Sequence, residues 1–184
     1  MKKLIVLAAC MGVTGVAFGQ GQYNLNNRVV AATIDARVTT EAGDPLNGDD
    51  GYVVQAYMSD AEMGSYAPIA GNVASFRNAP VPAGLGYLAG GINTVDGMGP
   101  DSSIWIKLYA FSTNDGATYE AAMAAGGMVG MSNPVAVTLG GGTVQPPDLV
   151  GLQGWQVAGD VIPEPSTFAL GLIGIGALML RRRK

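Results

Sequence analysis

The chain has 184 residues, one cysteine, no histidine and a formal net charge of −4 at neutral pH. The missing histidine removes the commonest general base and metal ligand near pH 7, so histidine-based serine triads and histidine–zinc centres are excluded. Between residues 20 and 160, four cations face thirteen acids, a net charge near −9. That balance disfavours nucleic acid, whose phosphates call for clustered Lys and Arg.

The N-terminal stretch follows a secretory pattern. Lys2 and Lys3 precede the uncharged run "LIVLAACMGVTGVAF" at 4–18, and Ala17 and Gly19 sit two apart before the polar "QGQYNLNN". Residues 1–19 therefore read as a signal peptide that signal peptidase cleaves after Gly19, leaving Gln20 as the mature start; an uncleaved anchor helix is the alternative. Cys10 lies in "LAAC", which resembles a bacterial lipobox, but only Leu4 to Leu7 separate Lys3 from Ala8. That is short of the ~7–15 apolar residues of an export signal. Once Cys10 leaves with the signal, neither a disulfide nor thiolate chemistry is open to the mature chain.

Residues 20–160 read as short β-strands punctuated by Gly, Asn, Asp and Pro. "RVVAATIDARV" at 28–38 is rich in β-branched residues and runs into the turn cluster "TTEAGDPLNGDDG"; "YVVQAYM" at 52–58 is the next strand. The clearest strand is "SIWIKLYAFS". It sets Ile104, Ile106, Leu108 and Ala110 on one face and Trp105, Lys107, Tyr109 and Phe111 on the other, so a central position covered on both sides is expected. A helix of about two turns is expected from Ala117 in "ATYEAAMAAGG". "NPVAVTL" at 133–139 is a further strand with Pro134 at its start, and "GWQVAG" is a weak last one. Between them, "LGGGTVQPP" at 139–147 reads as a flexible turn giving way to an extended segment. The expected fold is mainly β, an antiparallel β-sandwich or open barrel with one short helix, flanked by the signal peptide and a C-terminal transmembrane helix.

Two features of this domain could carry chemistry. Asp44, Asn47, Asp49 and Asp50 bring hard oxygen ligands into one loop, which calcium accepts. Their spacing departs from the EF-hand pattern, and the same residue types build ordinary turns, so a turn is the expected role and no cofactor is required. Trp105, Tyr109 and Phe111 share a strand face and could stack sugar rings, with core packing the expected alternative. Paired carboxylates could support glycoside hydrolysis, but no aromatic-flanked acid pair stands out, and a non-enzymatic protein is expected. Gly171, Gly174 and Gly176 lie in an apolar segment with no preceding strand, which argues against a phosphate loop.

The segment 161–184, "VIPEPSTFALGLIGIGALMLRRRK", has three parts: Pro163-Glu164-Pro165, an apolar run, and the cations Arg181, Arg182, Arg183 and Lys184. A helix over 166–180 is roughly 22 Å long at ~1.5 Å per residue, short against a bilayer core of about 30 Å. The terminal cations hold the C-terminus in the cytoplasm, as Lys2 and Lys3 do at the start, so the middle is delivered outside.

This segment resembles the PEP-CTERM sorting signal of Gram-negative bacteria, and the resemblance is confined to 161–184. It implies recognition by exosortase, an integral-membrane protease, with Pro163, Glu164 and Pro165 as the recognition element. It further implies transient membrane anchoring followed by release to the cell surface or extracellular matrix, with extracellular polysaccharide as a partner. Residues 20–160 are then an exported domain, with a carbohydrate- or calcium-binding adhesion module as the alternative to a purely structural role, and a carboxylate-dependent hydrolase as a third.

Overall fold

Alternation in the segment 103–112 builds the strand around which the rest is arranged. The computed structural model describes residues 20–78 and 82–159. The expected signal peptide at 1–19, with its cleavage residues Ala17 and Gly19, lies outside these residues, as do the Pro163-Glu164-Pro165 motif, the helix at 166–180 and the cations at 181–184. Among the described residues no helix is long and apolar enough to cross a membrane.

Strand β8 (Ser103–Ser112) buries Ile104, Ile106, Leu108 and Ala110 on one face, as its alternation predicts. It pairs antiparallel with β5 (Tyr52–Ser59) from Tyr52↔Ser112 to Ser59↔Trp105. Its other edge is shared between two strands. β9 (Met128–Met131) takes the end from Tyr109 to Phe111, and β10 (Val135–Thr138) takes the end from Ser103 to Ile106. Leu108 falls at the gap between them, where Ser132 stands in for a strand. The Ser132 amide donates to the Leu108 carbonyl, and the Ser132 hydroxyl accepts from the Leu108 amide, each at 2.9 Å. The central backbone polar groups thus stay paired in a region where an unpaired one costs about 1–3 kcal/mol.

The main sheet runs β4 (Val38–Thr40), β11 (Trp155–Gly159), β9, β8, β5, β6 (Ala67–Ser75), with β10 beside β8. It ends on β4 and β6 without closing into a barrel. The expected all-antiparallel arrangement holds except at one pair: β11 lies antiparallel to β9 but parallel to β4, with Trp155 opposite Val38. Two antiparallel ribbons complete the β-structure, β1 (Gly21–Asn24) with β7 (Ile92–Val95), and β2 (Arg28–Val29) with β3 (Ile34–Asp35). The inner face of the main sheet and the β1–β7 ribbon share one buried cluster, which joins Tyr23, Leu25 and Val95 to Val54, Ala56, Ile106 and Leu108. A hydrogen bond of 2.8 Å from the Tyr23 hydroxyl to buried Asn72 of β6 ties the ribbon to the sheet.

The single strand expected over 28–38 is broken into three. β2 runs into a 3-10 turn at Val30–Ala32, and Thr33 turns the chain back with a left-handed φ of 55°. β-propensity is overridden here by buried Asn27. Its carboxamide donates to the carbonyls of Ala36 at 2.7 Å and Gly86 at 3.0 Å and accepts from the Leu88 amide at 2.8 Å, cross-linking three segments. Arginines fasten the same loop from outside: Arg28 donates to the Ala83 carbonyl, Arg37 to Leu85 and Arg77 to Leu88. Gly90 packs so closely that a β-carbon there would collide with the Leu25 carbonyl oxygen.

The expected helix is α1 (Tyr119–Ala124), capped by Thr118, whose hydroxyl accepts from the Ala121 amide at 3.2 Å. It lies on the outer face of the sheet over Phe111 and Tyr57, in a second cluster with Tyr119 and Ala122. The Tyr57 hydroxyl donates to the Glu120 carboxylate at 2.6 Å. This bond holds the Glu120 carboxyl below its ordinary value, while burial, with the same bond second, pushes the Tyr57 phenol up.

Leu108→Ala empties part of the inner core and should cost about 2–5 kcal/mol, read as a lowered urea midpoint. Glu120, whose proton affinity is lowered by folding, contributes stability that is complete above the ordinary glutamate value of about 4.3 and is lost as pH falls through the folded value. Wild type should therefore melt above Glu120→Gln at pH 7, and the gap should close on acidification. A gap that persists undiminished to pH 3, about a unit below the ordinary value, would contradict the coupling.

Candidate functional site

The outer face of the main sheet divides the three aromatics of β8 among three environments. Phe111, 2% exposed, is sealed beneath α1. Tyr109 is half-buried against the helix, its ring 4.1 Å from that of Tyr57 and 4.7 Å, edge-on, from that of Tyr119. These separations suit tilted and T-shaped aromatic pairs, so this end of the face is packing. Trp105 lies at the other end, half-buried, and makes no ring contact among the described residues. Phe111 and Tyr109 thus pack as expected, and of the sugar-stacking platform weighed against packing only the Trp105 end is left.

The loop joining β5 to β6 forms a concavity of about 400 Å³ lined by Met58, Ser59, Asp60, Gly64, Ser65 and Ala67; Met58 and Ala67 pair on the core-side face, and Trp105 does not line it. The Lys107 ammonium lies 4.4 Å from the centre of the Tyr66 ring. Sequence reading passed over this loop; its signal was the polar run "SDAEMGS" between two apolar strands. Two apolar side chains elsewhere on the sheet are exposed, Met131 of β9 at 51% and Val73 of β6 at 49%, with β8 and β5 between them.

Another concavity, of about 470 Å³, gathers Asp44, Asn47 and Asp50 with Tyr52, Asn114 and Asp115. Three of the four calcium candidates therefore do meet, joined by Asp115, while Asp49 does not line the space. Their local bonds are those of a turn. Asn47 caps the 3-10 turn Gly48–Asp50 by accepting from the Asp49 amide at 3.1 Å, and Asn114 donates to the Asp50 carbonyl at 3.0 Å. Gly51 closes the turn in the left-handed region, at φ 79°. Burial, then the charges of Asp115 and Asp50, push the Tyr52 phenol up. Among the described residues no three acids, cysteines or histidines are placed to hold a metal ion. Asp44, Asp50 and Asp115 all stand exposed, without the enclosure that excludes water from a catalytic carboxylate.

The described residues thus form a mainly β domain with one helix-covered and one open stretch of outer sheet. Residues 161–184 match the family model of the PEP-CTERM protein-sorting motif, so the chain joins this domain to a sorting segment. No curated protein and no solved structure matches the chain.

If the 44–50 loop is a turn alone, millimolar calcium should leave the melting temperature within about 1 °C, because only a ligand that prefers the folded state raises it. A saturable calcium heat by calorimetry would restore the metal reading.

Proposed function

We propose that this is an exported, non-enzymatic surface or extracellular-matrix protein, held in the membrane by 161–184 until exosortase acts on the Pro163-Glu164-Pro165 region. The sorting motif at 161–184 carries this reading. In it, signal peptidase removes 1–19, and Arg181 to Lys184 keep the C-terminus cytoplasmic while the β domain lies outside. Fifteen uncharged residues at 166–180 are enough for a temporary hold and few for a permanent span. Reliance on exposed carboxylates and the absence of histidine both favour a structural over a catalytic role for the domain.

A second reading, a carbohydrate-binding module at the cell surface, is supported by Trp105, a half-buried indole on the uncovered end of the outer face. A large aromatic with no ring partner among the described residues offers stacking surface at little ordering cost.

The sorting reading is tested by the mature C-terminus. Mass spectrometry of protein recovered from cells and medium should show wild type shortened near Pro163. Glu164→Ala and, separately, alanine at 181–183 should leave the full C-terminus on cell-bound chain. Unchanged processing in both variants would defeat exosortase recognition.

A further inference from the structure

The parallel pair of β4 and β11 builds a polar hollow at the end of the sheet away from β6. Ala36 and Val38 are buried while Arg37 is exposed and Thr39 half-buried, so alternation sends Arg37 and Thr39 to the outer face. Gln156 lies opposite Thr39, and its neighbours Trp155 and Val157 belong to the inner cluster, so its side chain stands beside Thr39 on the same outer face. Arg37, Thr39, Gly154, Trp155 and Gln156 line one concavity of about 410 Å³, within the roughly 300–1,000 Å³ of small-ligand sites. Gly154 leaves its part of the space unfilled, and a β-carbon there would lie only 2.7 Å from the Arg37 carbonyl oxygen.

The side chains around this space are rich in donors. The Arg37 Nε donates to the Leu85 carbonyl at 3.0 Å, and the guanidinium lies 5.8 Å from the centre of the Tyr87 ring. A guanidinium carries five N–H donors, so anchoring through Nε orders the fork without using it up. Among the described residues the Thr39 hydroxyl and the Gln156 carboxamide enter no internal hydrogen bond. No carboxylate lines the hollow, in a domain where thirteen acids face four cations.

We propose that Arg37, Thr39 and Gln156 bind a carboxylate-bearing sugar, a uronate unit of an acidic glycan. The planar carboxylate takes the Arg37 fork. Ring hydroxyls beside it exchange hydrogen bonds with Thr39 and Gln156, each of which both donates and accepts. A simple anion leaves the hydroxyl and carboxamide without ligand partners, and a neutral sugar leaves the guanidinium without a counter-charge; a uronate meets all three. The acidity of the domain opposes a polyanion at a distance, but exposed charges more than about 8 Å apart are largely screened at physiological salt, so the local cation decides. The site uses neither Trp105 nor the sorting segment and stands apart from both readings above.

The test titrates the full chain in detergent, by calorimetry, with trigalacturonate, its fully methylated ester and a triglutamate peptide. Trigalacturonate should bind saturably, and the ester about tenfold or more weakly, since it forfeits a charge-assisted pair. Arg37→Lys keeps the charge but loses the fork and should weaken trigalacturonate about tenfold. Gln156→Ala removes one exposed side chain and should weaken it several-fold at an unchanged melting temperature. That variant carries the test should Arg37→Lys destabilise the chain by losing the Leu85 bond. Trp105→Phe should bind as wild type does. Absence of trigalacturonate heat overturns the site, and so does binding that survives both substitutions or is lost in Trp105→Phe. Equal affinity for the ester overturns carboxylate recognition, and equal affinity for triglutamate overturns the sugar.

Discussion

The pairing of β5 with β8 is the constraint on which the rest of the molecule depends. Eight consecutive register pairs fix the two strands against each other, and a slip of one residue would send every side chain to the opposite face. Both faces of β8 have work for their side chains, but not to the same extent. The inner face is apolar from Ile104 to Ala110 and wholly buried; on the outer face the buried cluster gathers under α1. The open stretch therefore exists because a six-residue helix is shorter than the ten-residue strand it lies on.

Polar groups inside this fold are used as fasteners. Asn27 joins three segments, Ser132 spans the change of partner beside Leu108, and Asn72 receives the Tyr23 hydroxyl. Asn27 and Ser132 satisfy backbone groups that irregular connections leave without a strand partner, and Asn72 satisfies a buried phenol, which is how a domain with many short strands keeps its buried polar groups paired. The acids, by contrast, gather at the surface. Asp44, Asp50 and Asp115 meet across a cleft mouth without enclosure, whereas Glu120 acts in packing through its phenol partner.

Period-two alternation made β8 legible, including which face is core, because a strand covered on its inner side has only one way to sort Ile104, Ile106 and Leu108. The helix at Tyr119–Ala124, β10 after Pro134 and β11 were legible from local signals of the same kind. The breaking of 28–38 was not. Thr33 in a left-handed conformation and the bonds of Asn27 are imposed by Gly86 and Leu88, more than fifty residues away. The parallel partnership of β4 with β11 has no local signature either. At the candidate site, sequence placed Trp105, Tyr109 and Phe111 on one face correctly, but their different exposures depend on where α1 lands. The loop at 59–66 was hidden for a simpler reason: polar residues between strands look alike whether they cover nothing or border a cavity. The sorting segment was readable in full, since its three parts lie in order within one short stretch.

β11 is an interior strand, seated between β4 and β9, although it is the last described strand in the chain. For a chain delivered N-terminus first, β4 and β9 must wait without their shared partner until residues 155–159 arrive. Such long-range closure is slow and leaves open edges in the meantime. The sheet can be completed only when everything up to Gly159 is free to pair, and the segment that matches the sorting motif begins at 161. Closure of the sheet therefore waits on the residues that lie next to the sorting motif: the last described strand acts as a latch, and the segment just beyond it stays tied to whether that latch has shut.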